Sequence, residues 1–152
     1  MAVVMKVSGL TGESKLGEQE GWLPIEGFEW GATRNYTFTH GMAQVLSAAQ
    51  LKEAVVRRQA DSTSAQLWMQ VTKQETLKVQ VRWLRPKATE ATHFLEVTLT
   101  NARVSSIEDA SGGDRPIETV KFSYEEIEFI YFALDDSINA AQQVVTYELP
   151  KG

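Results

Sequence analysis

The sequence predicts a mainly β protein, a compact barrel or sandwich of about seven to eight strands with one flanking α-helix. Three observations carry that prediction. Apolar and polar residues alternate through Leu77, Val79, Val81 and Trp83, and again through Leu95, Val97 and Leu99. Such alternation marks half-buried strands, because successive strand side chains leave opposite faces. Further β-branched and aromatic runs lie at Val3 to Val7 and Val144 to Leu149. One helix signal interrupts them, the cap candidates Asp61-Ser62-Thr63-Ser64 before an apolar stripe of Leu67, Trp68 and Val71.

In chain order, Val3 to Val7 reads as a short strand. Gly9 to Gly21 holds four glycines and four charged residues and reads as a solvated loop. Trp22 to Trp30 reads as a strand with Trp22, Phe28 and Trp30 on one face and Leu23 and Ile25 on the other. Apolar residues on both faces predict burial on both sides or a subunit contact. Leu51 to Gln59 is open between helix, by its Leu, Lys, Glu, Ala and Arg content, and strand, by Val55-Val56. The two alternating runs at 77–83 and 95–99 predict an antiparallel hairpin with its loop near Pro86 to Glu90.

Residues 118–132 change parity. Val120, Phe122 and Tyr124 share one face, and Ile127, Phe129 and Tyr131 share the other. A bulge or tight bend at Glu125-Glu126 restores one continuous apolar face. Two strands joined by a two-residue turn are disfavoured, because Glu-Glu lacks turn chemistry. Pro150 ends the last strand. The softest segments are Gly9 to Gly21, Gly31 to Gln50 and Glu108 to Pro116. No repeat or linker divides the chain, so residues 1–152 are expected to form a single domain.

Composition excludes several functions. The 152 residues contain no cysteine, so disulfides, thiolate metal sites and thiol catalysis are ruled out. Fifteen basic residues against twenty acidic ones, a net charge of −5, argue against general nucleic-acid binding. No apolar stretch nears the roughly 20 residues of a membrane helix, so no membrane insertion is expected. The N-terminus has no secretory-signal pattern, which predicts a soluble protein made in the cytoplasm.

The motifs that could carry chemistry are weak. Gly12 to Gly17 resembles a nucleophile elbow, but its second glycine comes one residue late and no helix follows. His40 and His93 have no ligand-spaced partner. Glu108-Asp109, Glu125-Glu126 and Asp135-Asp136 are adjacent pairs, which strand geometry turns to opposite faces. Ser111-Gly112-Gly113-Asp114 lacks the lysine ending of a phosphate loop. Asn35-Tyr36-Thr37 is a formal glycosylation sequon. Arg57-Arg58 and the Arg82, Arg85, Lys87 group could each meet an anion, but solvated faces or protein contacts are favoured. Of the four tryptophans, Trp22, Trp30, Trp68 and Trp83, three sit on amphipathic patterns and read as core. No catalytic residue, cofactor or metal is expected, which leaves a structural or binding role.

Three segments in order resemble the haemolysin-coregulated protein (Hcp) family, the tube proteins of bacterial type VI secretion. The first is Gly12-Glu13-Ser14 followed by Gly21-Trp22-Leu23-Pro24-Ile25-Glu26-Gly27-Phe28-Glu29-Trp30-Gly31. The second runs from Val56 to Leu67 through Asp61. The third runs from Leu99 to Ser106 and on through Glu118, Phe122, Tyr124 and Ile127 to Tyr131. The resemblance implies a β-barrel with one flanking helix, and makes Leu51 to Gln59 a strand. It implies hexameric rings that stack into a tube inside a contractile sheath, with a spike at the tip and effector cargo in the lumen. Such a tube subunit is assembled in the cytoplasm and then exported without a cleaved signal. A ring-forming cargo chaperone that never polymerises and a phage tail-tube subunit are the alternatives. Glu29, alternating with Phe28 and Trp30, is the expected lumen-facing, cargo-touching residue. The expected ring-stacking loop holds Asn35, Tyr36, Phe38 and Met42, where the family is often glycine-rich.

Overall fold

The alternating segments pair into one antiparallel system. A computed structural model describes residues 2–14, 20–39, 41–45, 49–85, 93–131 and 143–148. The strands are β1 (Val3–Val7), β2 (Leu23–Ile25), β3 (Gly27–Glu29), β4 (Ala32–Thr33), β5 (Tyr36–Thr39), β6 (Met42–Val45), β7 (Gln50–Leu51) and β8 (Ala54–Gln59). The helix α1 (Ser64–Gln70) comes next, then β9 (Leu77–Leu84), β10 (His93–Ala110), β11 (Ile117–Ser123), β12 (Glu126–Tyr131) and β13 (Gln143–Glu148). The mainly β class with one flanking helix is borne out. Nine strand segments make the main sheet, in the order β2-β1-β9-β10-β11-β8-β3, with β12 branching from β10 and β13 pairing with β12.

The long hairpin of β10 against β11 and β12 organises this sheet. The first half of β10 pairs with β9 on one side and with β12 on the other; its second half pairs with β11. One strand therefore serves two sheet faces, and the wrap encloses the core. The fold-over occurs at Asn101, the one non-glycine residue with positive φ (53°) among the described residues. Asparagine tolerates that region better than most side chains. Opposite it, the Glu125 N–H donates to the Thr100 carbonyl (3.1 Å), and Asn101 Nδ2 donates to Glu125 Oε2 (2.9 Å). The break between β11 and β12 is thus the bend expected at Glu125-Glu126. Val120, Phe122, Tyr124 and Ile127 are all buried across it.

The core gathers Met5, Val7, Leu23, Ile25, Val56, Val79, Val81, Val97, Leu99 and Phe122, among others. Leu51 to Gln59 is extended, as the resemblance implied, but interrupted between β7 and β8.

Several expectations need correction. Trp22 to Trp30 is not one strand. It breaks at Glu26, whose N–H donates to the Arg57 carbonyl (2.8 Å). The break separates Trp22 from the face of Phe28 and Trp30. Trp22 joins Val4 and Leu84 in a small separate cluster, while Phe28 and Trp30 pack with Trp83 at the margin of the main core. The helical stripe is also narrower than expected. Leu67 is buried, whereas Trp68 (48%) and Val71 (42%) are exposed. The N-cap is Thr63, without a side-chain cap bond. Two segments read as soft hold strand: β10 continues to Ala110, and 31–50 contains β4, β5 and β6. The loop near Pro86 to Glu90, Lys87, Asp135-Asp136, Leu149 and Pro150 lie outside the described residues.

Candidate assembly surface

Between β3 and β8 the chain leaves the main sheet. β4 and β7 form a two-stranded base, with Ala32 opposite Leu51. β5 and β6 form an arm beyond it, registered Tyr36 to Val45, Thr37 to Gln44, Phe38 to Ala43 and Thr39 to Met42. Among the described residues β5 and β6 pair only with each other. Only residues 40 and 41 separate the last pair. Gly41 has φ +78°, the left-handed geometry that two-residue hairpin loops demand. The base is tied to the sheet at Gly31, whose carbonyl accepts the Lys52 N–H (2.8 Å). The Lys52 carbonyl in turn accepts the Tyr124 hydroxyl (2.7 Å). Burial pushes the Tyr124 phenol above its ordinary range, which keeps it a donor.

The arm carries three of the four residues expected in the stacking loop as exposed apolar side chains: Tyr36 (51%), Phe38 (76%) and Met42 (72%). The guanidinium of Arg34 lies 5.8 Å from the Tyr36 ring centroid. Asn35 is exposed at the entry to β5. Glu29 lies at the root of the same excursion, exposed at the end of β3, with its carboxylate 3.7 Å from Arg57.

The remaining motif positions hold the scaffold. A side chain at Gly12 would meet the Trp22 carbonyl oxygen at 2.5 Å, so only glycine fits. The Gly12 N–H donates to the Gly21 carbonyl (2.6 Å), and the Ser14 N–H to that of Trp22 (2.9 Å). This ladder, not an elbow, explains Gly12 and Ser14. Trp22 is stacked by Arg82 at 4.7 Å, and Arg82 Nε donates to Glu96 (2.6 Å). Phe122 and Leu67 are core; Tyr131 is 44% exposed beside Phe129. Trp30 is half-buried and Gly31 leads into the arm.

Asp61 and Glu118 belong to a buried polar seat that sequence reading missed as a unit. Arg57 and Arg58 do not act together: Arg57 faces Glu29 in solvent, while Arg58 is fully buried. Arg58 lies opposite Glu118 in the β8–β11 register. Its Nη2 is 2.5 Å from Asp61 Oδ1 and donates to Thr63 Oγ1 (3.0 Å). Its Nη1 lies 3.8 Å from Glu118 Oε2, which accepts the Ser64 hydroxyl (2.7 Å). Burial pushes Asp61 upward, but Arg58 and Thr63 outweigh it and hold its carboxyl below the usual aspartate range. Glu118 goes the other way: burial, against Ser64 and Arg58, raises it. Period two could have found this seat. Glu118 shares parity with Val120 and Phe122, and Arg58 with Ala54 and Val56.

Among the described residues the other chemical candidates do not come together. His93 lies 3.6 Å from Glu96, and His40 falls outside the described residues. Asp109 accepts the Trp68 indole N–H (2.7 Å). Among the described residues no three His, Asp or Glu side chains group as metal ligands, and no helix is long and apolar enough to cross a membrane.

Residues 4–131 match the family described as "Type VI secretion system effector, Hcp". The chain belongs to the Hcp family. Solved structures agree on the fold. A type six secretion system protein shares 23% identity with a TM-score of 0.82, over 97% of this chain and 95% of that one. Hcp1 from Salmonella typhimurium shares 14% with a TM-score of 0.79, over 97% and 94%. A type VI secretion system effector from Yersinia pestis shares 15% with a TM-score of 0.77, over 97% and 99%. No curated protein sequence matches the chain. The Hcp fold is therefore kept here at low sequence identity, which suits a scaffold held by a few positions such as Gly12 and a pattern of apolar parity.

Proposed function

We propose that residues 1–152 act as one non-catalytic subunit of a type VI secretion inner tube, forming homohexameric rings that stack, carry effectors in the lumen and leave the cell with the tube. The spike at the tube tip and the contractile sheath are its other partners. The observation that carries this reading is the self-paired β5–β6 arm, with Tyr36, Phe38 and Met42 exposed on it. Apolar side chains on an element that leaves the main sheet are a liability unless another subunit covers them. Symmetry multiplies a modest contact: about 1 kcal/mol per protomer becomes roughly 6 kcal/mol between two hexameric rings. Stacking at that level is reversible, as an exported tube requires.

Glu29, at the root of the arm, is the proposed cargo contact on the lumen side. The test is mass determination in solution followed by negative-stain imaging. Six-fold rings that associate end to end support the reading. Rings that never stack at high concentration would favour a cargo chaperone, and a strictly monomeric protein would overturn both.

A further inference from the structure

The short helix α1 is seated on charge rather than on an apolar stripe. Asp109, Glu118 and Arg58 lie in one cross-strand row over β10, β11 and β8. Helix and cap residues contact each member: Trp68 binds Asp109, Ser64 binds Glu118 and Thr63 binds Arg58. Leu67 is the only buried residue of α1. Polar contacts therefore decide whether the helix stays docked.

The charges in this seat do not balance. Arg58 (0% exposed), Asp61 (5%) and Glu118 (0%) place one cation with two carboxylates out of water. Arg58 is committed to Asp61 at 2.5 Å and stands 3.8 Å from Glu118. Glu118 Oε1 has no hydrogen-bond partner, nor do Arg58 Nε and Nη1. Of the other nearby charges, Asp109 adds repulsion on Glu118. Asp109 comes from β10, and Glu13 reaches the capping segment by accepting the Ser62 hydroxyl (3.0 Å). Arg57, on the same strand as Arg58, is turned toward Glu29. An uncompensated carboxylate in such a site takes up a proton.

We propose that α1 is held by a proton-dependent latch, in which protonated Glu118 docks the helix through Ser64 and ionised Glu118 loosens it. Protonation removes the surplus anion from the dry seat and keeps the 2.7 Å bond, since a carboxylic acid can either accept from or donate to the Ser64 hydroxyl. Ionisation leaves Glu118 facing Asp61 and Asp109, and the relief is to let water reach it by lifting α1. The upward displacement of Glu118 and the downward displacement of Asp61 agree with this division of labour.

Hydrogen exchange of the α1 amides tests the latch, with protection normalised for intrinsic exchange, between about pH 5 and pH 9 in the full chain and in Glu118→Gln. In the native protein, protection should fall as pH rises through the Glu118 titration, by up to about tenfold per pH unit, the slope of one released proton. Glu118→Gln should remove that slope while keeping α1 protected. Parallel profiles in the two proteins, or a flat native profile, would overturn the proposal. Should the variant fail to fold, carboxyl NMR of the native protein decides alone: a Glu118 midpoint at or below its ordinary 4.5 overturns it.

Discussion

The β5–β6 arm and the α1 seat invert each other. The arm holds exposed Tyr36, Phe38 and Met42, while the seat buries Arg58, Asp61 and Glu118. In the arm, apolar surface has no strand of the main sheet beside it among the described residues, and the complement proposed for it is another subunit. In the seat, one buried cation faces two buried carboxylates of the same chain, so its value depends on pairing and protons. On the proposed function, the arm is finished by assembly, whereas the contacts of the seat all lie within one chain. Damage to the arm should spare the protomer, and damage to the seat should harm the protomer first.

Shortening Asn35 to Ala43 is the sharpest way to break that contrast, and its expected effect is the largest. Rings should persist, because β4, β7 and the main sheet do not depend on pairing with β5 or β6. Tubes and secretion should be lost altogether. Sedimentation reads the rings and electron microscopy reads the tubes. Undiminished tubes would be fatal to the stacking role, and lost rings would show that the arm also joins neighbours within a ring.

Arg58→Met attacks the seat. It leaves Glu118 and Asp61 buried without a cation, a change that costs about 3–5 kcal/mol in comparable sites. The urea midpoint should fall accordingly with an unchanged slope. Adding Glu118→Leu should restore only part of the loss, since Asp61, the carboxylate Arg58 contacts most closely, stays buried without its cation. A loss in Arg58→Met below about 1 kcal/mol, the range of exposed pairs, would show that water already enters the seat.

The two carboxylates of the seat also predict a stability profile. Glu118 is raised above its ordinary 4.5, so the folded state holds its proton more tightly than the unfolded one. Its contribution is fully present below 4.5 and is lost as pH rises through the folded value. Asp61 is lowered below 3.8, so its contribution is present above that value and is lost as pH falls through the folded one. Thermal midpoints should therefore rise from neutral pH toward mild acid and then drop. Glu118→Gln should be more stable than the native protein at about pH 8 and lose that advantage near pH 4.5. An advantage independent of pH would assign the effect to packing.

The main sheet was legible because its strands obey parity. Leu77 to Trp83 and Leu95 to Leu99 have one wet face and one dry face, and nothing competes with that signal. The bend at Glu125 was legible for the same reason, as a parity change. The break at Glu26 was not, because Trp22, Phe28 and Trp30 keep one parity through it while the backbone turns to reach Arg57. Trp68 was placed in the apolar stripe of the helix because helical spacing does not reveal that a short helix, resting on Asp109 and Glu118, buries only Leu67. The seat itself was readable in principle. Glu118 sits on the inward parity of its strand, but a charged residue at an inward position is discounted until its partner Arg58 is known from the register. The arm residues were singled out through family resemblance rather than physics, since an alternating Tyr36 and Phe38 could equally have faced a core.

Glu29→Arg should have the smallest effect on stability and the most selective effect on function. The carboxylate is exposed and its contact with Arg57 spans 3.7 Å; such pairs contribute about 0–1 kcal/mol. Rings should therefore assemble as before, while retention of an effector in the lumen changes, because a ring presents the substituted charge six times over. The double variant Glu29→Arg with Arg57→Glu separates the two roles. It rebuilds the surface pair with its polarity reversed, so any effect of a broken ion pair should disappear. If residue 29 meets cargo, the double variant should bind effector as Glu29→Arg does, measured by co-purification with assembled rings. Native-like binding in the double variant would reduce Glu29 to a partner of Arg57, and unaltered binding in both would remove it from the lumen.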